Sequence, residues 1–108
     1  MYVTVSEKNL PSLTAFATDE QRRFRSEAPN VTVRSEPPLS IGGGATALVF
    51  RLSGDPGQNH ELIAYIEGPT KFFIVAISAR SAESLNEHQA AFQSLLKSFV
   101  PMTATVQR

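Results

Sequence analysis

The sequence predicts an α+β domain in which a twisted antiparallel meander packs against helices. Residues 31–78 hold four alternating or apolar segments in hairpin order, and the stretches 10–28 and 82–99 repeat apolar residues at helical spacing. A chain of 108 residues is the size of one compact domain. Its 42% hydrophobic and 19% charged residues carry enough apolar surface to offset ordering entropy, which argues against global disorder.

Each element has a local reason. Residues 2–5 alternate aromatic and β-branched side chains and run into Ser6-Glu7-Lys8-Asn9, the pattern of a short strand. Its pairing partner is left open, a segment upstream of residue 1 included. From Pro11 to about Ala28, Leu13, Phe16, Ala17 and Phe24 fall with Leu10 on one stripe of a helix. Asn9 is the expected cap, and Pro29 keeps Ala28 out of helical geometry. Residues 31–36 alternate as a half-buried strand until Pro37-Pro38, which cannot donate to a ladder.

Gly42-Gly43-Gly44 is expected to form a turn needing positive φ. The strand after it, residues 45–53, is expected to face Leu48, Phe50 and Leu52 inward. Residues 53–59 read as an exposed hairpin loop, 61–67 as a strand, Gly68-Pro69-Thr70 as a tight turn, and 71–78 as a strand apolar on both faces, which suits a central strand covered on both sides or one next to other chains. A second helix begins at Ser81 or Ala82, presents Leu85, His88, Phe92, Leu95, Leu96 and Phe99, and stops at Pro101. Residues 103–108 read as a frayed tail.

Composition narrows the function. Ten Lys plus Arg balance ten Asp plus Glu, so the field that attracts nucleic acid is missing and no nucleic-acid partner is expected. The apolar run from Phe72 to Ile77 is far shorter than the roughly 20 residues of a transmembrane helix, so a soluble chain is expected. Without Cys there are no disulfides, thiol nucleophiles or Cys-based zinc sites.

The candidate chemistry is sparse. A phosphate cradle opens a helix, whereas Gly42-Gly43-Gly44 opens a strand and no Lys-Ser or Lys-Thr follows, so a nucleotide site is disfavoured. Asp55, His60 and Glu61 supply metal-type ligands, as do Glu83, Glu87 and His88, but neither set has a motif spacing. No Gly-x-Ser-x-Gly elbow occurs, and Glu36, Glu61 and Glu67 show no spacing that pairs two of them for acid–base work. Arg22, Arg23, Arg25 and Arg34 make the one basic cluster, suited to an acidic partner if helix and strand bring them to one edge. The plainer reading, a solvated helix face balanced by Asp19, Glu20 and Glu27, is preferred.

The order of several short motifs resembles a known family. Val3-Thr4-Val5 opens; Val31-Thr32-Val33-Arg34-Ser35-Glu36 and the Ile-Gly-Gly turn from Ile41 follow. Tyr65-Ile66-Glu67-Gly68, the Phe72-Phe73-Ile74-Val75 strand and Leu96-Lys97-Ser98-Phe99 complete the series. Together they look like the PsbP-like fold family, which includes the extrinsic PsbP protein of photosystem II, a nuclear Ran-binding relative and many bacterial proteins, often exported or lipid-anchored. The resemblance spans about residues 2–100. It implies an α-β-α sandwich on a central antiparallel sheet, one domain lacking the hairpin that usually precedes the opening strand, and action through protein contacts rather than turnover. It also implies the bacterial envelope if an export segment has been removed, and the cytoplasm otherwise.

The resulting expectation is a non-enzymatic protein-binding or scaffold module with no cofactor, its partner and oligomeric state open. The alternative is a small-ligand or weak metal site in the loop at residues 53–61, around Asp55, His60 and Glu61.

Overall fold

The computed structural model describes residues 2–28, 30–54 and 60–98. Nine segments follow in order: β1 (Tyr2–Glu7), α1 (Leu13–Glu27), β2 (Thr32–Ser35), β3 (Leu39–Ser40), a 3-10 turn (Gly42–Gly44), β4 (Thr46–Ser53), β5 (His60–Glu67), β6 (Lys71–Ala79) and α2 (Ala82–Ser98). All strand pairs are antiparallel and form one sheet in the order β1-β6-β5-β4-β2, with β3 on the same side of β4 as β2. The expected α+β class holds, with the meander β4-β5-β6 at its centre and a helix on each face.

Two buried layers hold the helices. Against α2, the layer joins Leu85, Phe92 and Leu96 to Ala47, Val49, Leu62, Ala64, Ile66 and Val75. Beneath α1, Phe16 and Ala17 pack on Leu52, Ile63, Tyr65, Phe72 and Ala76. Phe16 stacks on Phe72 with centroids 4.4 Å apart and planes 14° apart, and meets Tyr65 edge-on at 5.9 Å. Successive side chains of β5 from Leu62 to Ile66 are all buried, because neighbours on both sides and helices on both faces leave no solvent side.

Several local expectations change. The opening strand finds its partner within the chain, in β6, with Tyr2 opposite Ala76 and Glu7 opposite Lys71. The first helix starts later than expected: Ser12, not Asn9, is the cap, its hydroxyl accepting from the Ala15 amide at 3.1 Å. A serine three residues before a free amide makes this bond, and Pro11 stays outside the helix. On β4 the split into inward and outward sets fails, since Ala47 and Val49 are buried on the α2 face and Leu52 on the α1 face.

The short strand β3 has no counterpart in the expected elements. Pro37-Pro38 interrupts the ladder, and the next residue, Leu39, regains the same edge of β4 opposite Ala47. In the glycine turn, Gly44 has the expected positive φ of 77°. The second helix opens as expected, with the Ser81 hydroxyl accepting from the Ser84 amide at 3.1 Å. Its buried stripe is narrower, however: Gln89, not His88, continues Leu85 towards Phe92, and His88 and Leu95 are exposed. The last residue of the expected stripe, Phe99, the stop at Pro101, the tail, and the loop at 55–59 lie outside the described residues.

Candidate functional site

The outer edge of β1 differs from the rest of the surface. Val3 and Val5 lie opposite Val75 and Phe73 and so share the α2 face, while Tyr2 lies opposite Ala76 on the α1 face. All three are half exposed, at 54%, 55% and 50%. They stay half exposed although both helices reach β6: α2 packs over β6, β5, β3 and the glycine turn, and α1 over β5 and β4, with Phe16 stacked on Phe72 of β6.

An open edge is normally blunted by proline, a bulge or a charge directed inward. The opposite edge is blunted, because Pro37-Pro38 splits β2 from β3. Residues 2–6 carry none of these devices. The charges sit at one end of the strand, where Lys71 Nζ donates to Glu7 Oε1 at 2.7 Å, and Lys8 pairs with Glu67 at 2.7 Å. Lys8 also lies over the Phe72 ring at 5.8 Å. These contacts pin the end of β1 to β6 and β5. They leave its central backbone, with alternate N–H and C=O groups directed outward, unpaired with any described strand.

On the α1 face, Tyr2 sits near an electronegative corner. Burial raises its phenol pKa above the ordinary value, and the carboxylates of Glu61 and Glu20 add to the shift. The same causes, burial first and then Glu20, Tyr2 and Glu61, raise Tyr65 further. Both phenols are therefore neutral donors at physiological pH.

The arginines singled out in the sequence do not form one patch. Arg22 and Arg23 are tied to Asp19 at 3.2 and 3.1 Å, and Arg23 also reaches Glu20 at 3.3 Å. Arg25 is exposed in the last turn of α1. Arg34 lies opposite Arg51 and therefore on the α2 face, so the sheet stands between it and the three helix arginines. It meets Glu36 at 3.1 Å, and Arg51 approaches the same carboxylate at 3.9 Å.

The ligand set of the loop also separates. Adjacent strand residues point to opposite faces, which sends His60 towards α2 and Glu61 towards α1, while Asp55 lies outside the described residues. In the second set, the Nδ1 of His88 is engaged with the Ser84 carbonyl at 2.8 Å. Among the described residues no three His, Asp or Glu side chains are grouped to hold a metal ion.

Sequence reasoning missed the β1 edge as a surface because alternation alone does not tell an edge strand from a paired one. It also missed Arg51, which looks like an outward charge in an alternating strand but lies under α2, next to Gln89. No helix among the described residues is long and apolar enough to cross a membrane. No known family model, curated protein or solved structure matches this chain.

Proposed function

We propose that this chain is a non-catalytic protein-binding module that takes an extended segment of a partner protein onto the outer edge of β1. The observation that carries the reading is the combination of an open backbone edge with half-exposed Tyr2, Val3 and Val5 on a strand that has no proline, bulge or central charge. In such strand addition, main-chain hydrogen bonds supply affinity, and alternate side chains supply selectivity. Val3 and Val5, beside Phe73, favour β-branched or aromatic residues at alternate positions of the incoming strand. The resemblance to the PsbP-like family, whose members act mainly through protein contacts, points the same way.

A displayed library of extended peptides, selected on the chain and counter-selected on Thr4→Pro, tests the proposal. Thr4→Pro removes a backbone donor from the middle of β1 and fixes φ there at about −65°, away from the strand's own value. Support is enrichment of alternating apolar sequences whose binding shifts the amide resonances of residues 2–7. Selected peptides that bind Thr4→Pro equally well, or shift the helix arginines instead, would refute it.

A further inference from the structure

The hydrogen-bond phase of the sheet fixes which backbone groups of β1 look outward. The Gly68 amide donates to the Lys71 carbonyl at 2.8 Å, so these residues form a hydrogen-bonded pair in the register of β5 and β6. Along β6, residues 71, 73 and 75 therefore turn their backbone groups to β5, and 72, 74 and 76 turn theirs to β1. The partners of these last three, Ser6, Thr4 and Tyr2, are spent on β6, which leaves the N–H and C=O of Val3, Val5 and Glu7 directed away from the sheet. The Glu7 carbonyl accepts from the Asn9 amide at 3.0 Å, and its carboxylate pairs with Lys71. The open rail is thus Val3 and Val5, a repeat centred on Thr4.

Such a rail is complementary to itself. When a second copy runs antiparallel about a two-fold axis through Thr4, Val3 meets Val5 of the other copy and Val5 meets Val3. Every outward N–H and C=O of both valines then finds its partner. On the α2 face the valines of both copies pack together; on the α1 face Thr4 lies opposite Thr4 and Tyr2 opposite Ser6, with no charge against another. Moving the axis to Val5 sets Glu7, its carbonyl and carboxylate already engaged, against Val3. Moving it to Val3 leaves Val5 opposite none of residues 2–6.

We infer that the chain on its own pairs with a second copy of itself through β1 in the register centred on Thr4, which rests on the reading of β1 as a strand-adding edge. The two sheets join into one, with both α2 helices on the same face. The contact is small, one strand of six residues per copy, where a stable interface takes about 20–30 residues a side. The dimer is therefore weak, with a dissociation constant on the order of 0.1–1 mM, open on dilution and displaced by a partner segment that takes the same edge.

The test is NMR of the whole chain from about 20 μM to about 2 mM, a range that brackets this constant. Diffusion should slow with concentration, and the Val3 and Val5 amides should gain protection, while the Thr4 amide, already bonded to β6, keeps its own. In a mixture of differently labelled copies, the Thr4 Hα should contact the Thr4 Hα of the other copy, because a non-hydrogen-bonded pair brings its Cα atoms closest. Thr4 is exposed, so Thr4→Lys and Thr4→Glu should both fold. Each alone should associate about fivefold more weakly, like charges then opposing across the axis, and an equimolar mixture of the two should recover the wild-type affinity. A chain monomeric across the range, a dimer that Thr4→Lys does not weaken, or contacts between copies away from β1 would overturn the inference. If the chain stays monomeric while selected alternating peptides still shift the amides of residues 2–7, the self-pairing alone is lost; if no peptide shifts them, the strand-adding reading is lost with it.

Discussion

Phe16 is the side chain by which α1 holds the sheet, and Phe16→Ala measures that hold. It is 4% exposed, and the other fully buried residue of α1, Ala17, offers only a methyl group. A buried phenylalanine removes about 150–250 Å² from water, which at about 25 cal/mol/Å² is worth about 4–6 kcal/mol. Alanine keeps the first carbon, so the expected loss is about 3–5 kcal/mol, in line with truncations of buried aromatic residues. Of this, the stacked contact with Phe72 should account for about 0.5–1.5 kcal/mol, measurable as the coupling in a cycle with Phe72→Leu. Domains of this size have about 5–15 kcal/mol in total, so the variant should fall to marginal stability. Urea unfolding followed by circular dichroism reads the loss, and Phe24→Ala, at a half-buried site nearer the end of the helix, should cost clearly less. A loss below about 1 kcal/mol for Phe16→Ala would mean that α1 is not anchored through this ring, and the two-layer account would fail.

Further outcomes follow from single positions. At Gly54, φ is +85° and an added Cβ would stand 3.1 Å from the Asn30 carbonyl oxygen, whereas at Gly44, with φ +77°, it would meet nothing within 4 Å. Gly44→Ala should therefore cost about 1–2 kcal/mol from backbone strain alone, and Gly54→Ala more, as read by thermal unfolding. The chain has two tyrosines and no tryptophan, so absorbance at alkaline pH reports Tyr2 and Tyr65 directly. Both folded phenols hold their protons above the ordinary pKa of about 10, where the unfolded chain releases them. Their contribution to stability is complete below about pH 10 and is lost as pH rises beyond it. Tyr65 should ionise only with unfolding, and two reversible titrations near pH 10 in the folded chain would contradict its burial.

Much of the fold was legible because periodicity and local chemistry agreed. The apolar run from Phe72 to Ile77 suited a central strand or one next to other chains, and it lies between β1 and β5. The serine at 81 and the spacing of Leu85, Phe92 and Leu96 placed α2. Tertiary context decided what failed. Ser12 and Asn9 are both good caps in isolation, and only the fold selects one. His88 is one residue from the buried stripe, a 100° step that composition cannot resolve. Strand order is not encoded locally, so β1 could not be assigned to β6, nor recognised as an edge. Arg51 and Glu36 are fifteen residues apart in number and meet because β2 pairs with β4 and sets Glu36 beside Val49, two residues from Arg51 on the same face.

Hydrogen exchange of the β1 amides in the dilute, isolated chain tests the central claim most directly. With the outer edge open, residues 3–6 should alternate, amides directed at β6 exchanging slowly and those directed outward exchanging close to the unprotected rate. Uniform slow exchange along the strand would mean that the edge is already covered, and strand addition there could not be the mode of binding.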